Sequence, residues 1–129
     1  MTLLARNNPQ DAYRRVDFDA RVTGCDPMEL VGLCYEHLIA ALGSALFAHE
    51  RGDNLTKSRA ITRAMSAVTA LQLGVNGSEG VAGALRQFYQ AARQAMLDSV
   101  LDFNPVQIGR VRDDFVEIAS AMTVTERPN

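Results

Sequence analysis

Apolar residues recur at intervals of three and four in four stretches of this chain, and the polar breaks between them are short. The first stretch opens at Asp26-Pro27-Met28-Glu29. Asp26 can accept from free N–H groups of a first turn, Pro27 suits the position that needs no donor, and Glu29 stands where a capping box requires it. A helix is therefore expected from about Pro27 to Arg51, ended by Gly52-Asp53-Asn54. Leu30, Leu33, Cys34, Leu38, Ala41 and Ala45 follow its helical spacing. Val31, Tyr35, Ile39, Leu42, Leu46 and Phe47 fill the flanks, so the apolar arc is broader than one stripe.

Three further helices follow the same logic. The second runs from about Leu55 to Leu73, with Ile61, Ala64, Met65, Val68, Leu71 and Gln72 on one face. The glycines at 74, 77 and 80, with Asn76, mark a turn-rich link. The third runs from about Glu79 to Asp102 on a stripe of Val81, Leu85, Phe88, Ala92, Ala95, Met96 and Val100. Tyr89, Leu97, Leu101 and Phe103 stand beside that stripe. Asn104-Pro105-Val106-Gln107 repeats the opening device, and the fourth helix follows to about Met122 on Ile108, Val111, Phe115, Ile118 and Met122.

No window alternates with period two, so no sheet is expected. Helices of roughly 18 to 25 residues are about 27 to 37 Å long, and short links cannot return a chain along such a length. Neighbours must run antiparallel. The expected fold is all-α, an antiparallel up-down four-helix bundle over 26–123. Residues 1–25 form an extended N-terminal arm and 124–129 a disordered tail. The arm contains helix-discouraging Asn7-Asn8-Pro9-Gln10 and interleaved charges, yet carries Tyr13, Val16, Phe18 and Val22, which have something to bury.

Composition changes this picture little. The 129 residues suit one core, and 47% hydrophobic with 22% charged residues is ordinary for a globular protein. A formal net charge of −2 gives no general reason to expect nucleic acid or an anionic membrane as partner. No apolar run approaches the roughly 20 residues of a membrane span, and Met1 to Arg6 has neither the length nor the order of a signal peptide. A cytoplasmic protein without membrane insertion is expected.

Candidate chemistry is sparse. Two cysteines are too few to staple a chain this long. Cys34 on an apolar helix side reads as a small hydrophobe. Cys25, Cys34, His37 and His49 match no zinc spacing, so no metal is expected. There is no Glu-x-x-His pair for a di-iron bundle and no lysine after the glycine-rich link to reach a phosphate. A histidine phosphotransfer bundle centred on His37 is the alternative function, but Leu38 to Gly43 lack the lysine and early glycine that accompany such a histidine. No catalytic residue and no cofactor are assigned.

What remains is more apolar surface than four inward stripes need. Exposed apolar area of this kind marks a partner site, and helices laid in grooves are a common way to use it. Cover by the arm, or a homodimer, would also account for it.

Asn8-Pro9, Ala12-Tyr13, Val22-Thr23 and Asp26-Pro27-Met28-Glu29-Leu30-Val31, followed by Leu33-Cys34-Tyr35-Glu36 and Leu38, resemble the start of the flagellar secretion chaperones called FliS. Gly52-Asp53, Ala70-Leu71 and Leu85-x-x-Phe88-Tyr89 are similar to later motifs of that family, and the likeness spans about 8 to 122. The family's last helix often ends in a tryptophan, which this chain lacks. The resemblance implies a non-enzymatic cytoplasmic chaperone that binds the disordered C-terminal segment of flagellin, prevents premature polymerisation and aids delivery to the flagellar type III export gate. The candidate flagellin-binding or groove-covering residues are then Tyr13, Val16, Phe18, Leu30, Val31, Leu33, Tyr35, Leu38, Phe88 and Tyr89.

Overall fold

A computed structural model describes residues 26–77 and 79–126, the last four for backbone only. Its four helices are α1 (Pro27–Glu50), α2 (Asn54–Gly74), α3 (Gly80–Leu101) and α4 (Pro105–Glu126). There is no strand among the described residues. The expected arm, with Tyr13, Val16, Phe18 and Cys25, lies outside them, as do 127–129.

The helix ends follow from local chemistry. At α1 the capping box is made in both directions: the Glu29 N–H donates to Asp26 Oδ1 at 2.8 Å, and the Asp26 N–H to Glu29 Oε1 at 3.3 Å. At its far end Gly52 takes φ 71°. Its N–H reaches the His49 carbonyl at 3.1 Å, and the Asp53 N–H reaches that of Ala48 at 2.9 Å, which is a Schellman closure. Nothing lies within 4 Å of a Cβ at this glycine. Gly52→Ala should therefore lower stability through backbone strain alone, by about 1 kcal/mol, measurable by urea denaturation.

Asp53 caps α2, its carboxylate accepting from the Thr56 N–H at 3.1 Å. Hydrogen bonds from Thr56 hold that carboxyl below its usual range. Asn104 caps α4 through the Gln107 N–H at 3.1 Å. That last helix runs on to Glu126, beyond the expected end near Met122 and into part of the stretch read as a disordered tail. Residues 123–126 contain neither Gly nor Pro, and Pro128 is the first residue that opposes a helix there.

The chain divides into two compact units, Met1–Leu33 and Cys34–Asn129, so the division falls inside α1. In the first, the described residues are the cap and opening turns of α1, with Leu33 buried and Leu30 and Val31 half-buried. The second unit packs the remainder of α1 with the other three helices.

Contacts within this second unit fix its topology. Thr69 meets Arg93 and Gln72 meets Gln90, so α2 and α3 run antiparallel. Tyr35 meets Tyr89 near one end of the unit, while His49 meets Phe103 near the other, so α1 and α3 run the same way. Tyr35 also packs on Phe115, midway along α4, whose start follows directly from Phe103, so α4 runs against α1. The result is the up-down-up-down four-helix bundle, with Leu38, Leu42, Ala45, Ala64, Val68, Met96, Ile108 and Phe115 at its centre.

The inward face of α3 differs from the expected stripe. Tyr89 and Ser99 are buried with Ala92, Ala95 and Met96, whereas Val81 is 78% and Val100 60% exposed. Hydropathy favours valine over serine and tyrosine, but Tyr89 finds a buried partner for its hydroxyl, and Ser99 Oγ accepts from the Asn104 N–H at 3.4 Å. A satisfied polar group sits inside without penalty, so the seam turns toward Tyr89.

Candidate docking surface

An aromatic cluster occupies the centre of the second unit. Phe115, fully buried, stacks parallel to Tyr89 at 6.2 Å and meets Tyr35 edge-on at 5.3 Å, and Phe88 closes on it at 4.7 Å. The hydroxyls of Tyr35 and Tyr89 share a 2.7 Å hydrogen bond. Burial raises both phenols above their ordinary range; for Tyr35 the bond to Tyr89 raises it further, whereas for Tyr89 that bond acts in the opposite sense. Both stay neutral near pH 7, and no buried side-chain polar atom among the described residues lacks a partner.

The candidate residues thus separate. Tyr35, Phe88 and Tyr89 come together around Phe115, a residue the apolar pattern placed in the core but not at the site. Tyr35, Leu38 and Tyr89 are buried, and Phe88 is half-buried. Leu30, Val31 and Leu33 belong to the first unit, and Tyr13, Val16 and Phe18 lie outside the described residues.

Large apolar side chains remain outside the core of the second unit. Phe47, 60% exposed, points away from the packed side of α1 with the Arg51 guanidinium over its ring at 5.3 Å. Leu55, Leu97, Leu101 and Val106 are exposed, and so are Leu73 and Val81 beside the glycine-rich link. Leu97 and Leu101, which stand beside the inward stripe by spacing, are thus outside the core.

That link is held by Arg86. Its Nε donates to the Gly77 carbonyl and its Nη2 to that of Val75, both at 2.6 Å. At the other end of the bundle Lys57 Nζ donates to His49 Nδ1 at 3.1 Å and lies 4.9 Å from the Phe103 ring centre. An ammonium has no lone pair, so His49 is the acceptor. His37 is half-buried and engaged within the chain, and Cys34 is buried. Among the described residues no three His, Cys, Asp or Glu side chains gather as a metal site.

Unlike the expectation that no stretch would be, α1 is long and apolar enough to cross a membrane. Its Tyr35, Leu38, Leu42 and Ala45 are buried in the bundle core.

No curated protein matched the chain. The sequence model of the family described as flagellar protein FliS matches residues 9–124, nearly the whole chain. With four helices, an interior built around the Tyr of Leu33-Cys34-Tyr35 and the Tyr of Phe88-Tyr89, and that match, this chain belongs to the FliS family of flagellar proteins.

Proposed function

We propose that this protein is a non-enzymatic cytoplasmic export chaperone that binds the disordered C-terminal segment of flagellin. It keeps that segment from polymerising early and aids its delivery to the flagellar type III export apparatus. The observation that carries this reading is the family match over residues 9–124. Physical support comes from the surface: the bundle is satisfied internally, yet leaves Phe47, Leu97 and Leu101 outside its core. A disordered tail that orders on binding must recover its lost entropy from extended apolar contact rather than one deep pocket. In the second unit half-buried Phe88 is proposed as a direct contact, with Tyr35, Leu38 and Tyr89 as the layer that supports it, and in the first unit Leu30, Val31 and Leu33 are proposed as contacts in their own right.

A calorimetric titration with the cognate flagellin C-terminal segment tests the reading. Saturable 1:1 binding is expected, and an absence of binding in both calorimetry and pull-down overturns it. The arm is proposed to compete for the same surface. Tyr13, Val16 and Phe18 would each gain roughly 1.5 to 3 kcal/mol on full burial. A tethered segment competes at an effective concentration of about millimolar. Deleting residues 1–20 should then tighten or quicken tail binding; unchanged affinity and rate would remove the arm from the mechanism.

A further inference from the structure

The helices of the second unit divide their charge unequally. Lys57, Arg59 and Arg63 stand on α2, which has no Asp or Glu, and α3 carries Arg86 and Arg93 against Asp98. The acids gather on the other two helices, with Glu36 and Glu50 on α1 and Asp113, Asp114 and Glu117 on α4. A chain of formal net charge −2 thus keeps a cationic side, where α2 and α3 lie against each other.

The seam between them carries cations and no carboxylate. Along the edge of α3 that meets α2, Arg86, Gln90, Arg93, Leu97 and Val100 follow at intervals of four, three, four and three. Gln90 Oε1 accepts from Gln72 at 3.0 Å and Arg93 Nε donates to Thr69 Oγ1 at 3.3 Å. Arg86 and Gln90 are exposed, Arg93 is half-buried, and Leu97 is 44% and Val100 60% exposed. Asp98, which accepts from Gln94 Nε2 at 2.9 Å, is five residues from Arg93 and so stands on the opposite side of α3. At the end near the glycine-rich link the seam opens into a groove of about 540 Å³, to which Gln72, Arg86 and Gln90 contribute.

We propose that this seam docks a helix of a partner protein that carries two acidic residues seven positions apart. Arg86 and Arg93 are separated by two helical turns, about 10.5 Å along the axis, so carboxylates at i and i+7 of a helix laid along α3 meet both. A guanidinium carries several N–H donors in a planar fork, so one bond to Thr69 holds the Arg93 stem in place and leaves donors for a carboxylate. That prior hold lowers the ordering cost of docking. Gln72 and Gln90 can exchange their mutual bond for polar groups of the partner, and Leu97 and Val100 offer its next turn apolar contact. A nucleic acid suits the seam less well, because its phosphates follow one another without a break, whereas amides and apolar side chains stand between and beyond these two cations. The seam is distinct from the surface assigned to the flagellin tail: Phe88 lies on the side of α3 that meets Phe115, and Arg93 on the side that meets Thr69.

The probe is a fluorescent, alanine-rich helical peptide of about 20 residues with two glutamates seven positions apart, titrated with the full chain and read by anisotropy. Saturable binding is expected, weakening as salt rises, and about tenfold or more weaker for the same peptide with lysines in place of the glutamates. Arg93→Glu should lose the glutamate peptide by a similar factor and gain the lysine peptide, a reversal that a merely unfolded variant would not give. Backbone amide shifts on binding should fall at Thr69, Gln72, Gln90 and Arg93 and spare Phe88. The titration needs no flagellin, so its outcome stands apart from that of the tail. Absence of binding, equal binding of the two peptides, indifference to Arg93→Glu, binding of a single-stranded RNA in place of the peptide, or displacement of the peptide by the flagellin tail overturns the proposal.

Discussion

Replacing Phe115 by alanine should cost about 3 to 5 kcal/mol of folding stability, the range for truncating a buried aromatic side chain. Phe115 is fully buried and touches Tyr35, Phe88 and Tyr89, so its removal opens a cavity lined by three rings carried on two other helices. Those rings cannot all collapse into the space, because Tyr35 and Tyr89 are held by their mutual hydrogen bond. A domain of this kind has about 5 to 15 kcal/mol in total, so a large part of the stability goes with one side chain. Chemical denaturation followed by circular dichroism measures it. A loss below about 1 kcal/mol would show that the cluster is not the centre of the core.

The second large effect concerns the tyrosine pair. Tyr35→Phe leaves the Tyr89 hydroxyl buried without its partner, and Tyr89→Phe does the same to Tyr35; each should cost about 1 to 3 kcal/mol. The double replacement removes both polar groups and keeps both rings. It should cost less than the sum of the single changes, with a coupling of about 1 to 2 kcal/mol in a double-mutant cycle. Additive costs would mean that the two hydroxyls do not depend on each other.

The same pair sets an alkaline limit. In the unfolded chain both phenols ionise near pH 10, whereas burial keeps them protonated to higher pH in the fold. Their contribution is therefore complete below about pH 10 and declines as the pH rises past that value, because only the unfolded state gives up protons there. Urea denaturation at about pH 8 and about pH 10.5 should show a loss in the native protein that is smaller in the double phenylalanine variant.

Much of this fold was legible in the chain because it depends on short-range chemistry. Asp26 with Glu29, Gly52, and Asn104 with Pro105 act within a turn of where they stand, so their residue types decide where helices begin and end. Short links then forced antiparallel neighbours. Ile108, Val111 and Phe115 lie on the inward side of α4 as their spacing requires.

The site was less legible. Tyr89 appeared to stand outside the stripe of α3, and Val100 inside it, because spacing and hydropathy cannot show that a hydroxyl on another helix, 54 residues away, will satisfy a buried phenol. Leu97 and Leu101, which stand beside that stripe by spacing, do lie outside the core. By itself the sequence determined four helices, the caps of the first and the last, their alternating direction and the family. Only the tertiary structure decided which residues fill the interior and which remain for a partner, since burial is settled between helices, by packing and by long-range hydrogen bonds that no local pattern contains.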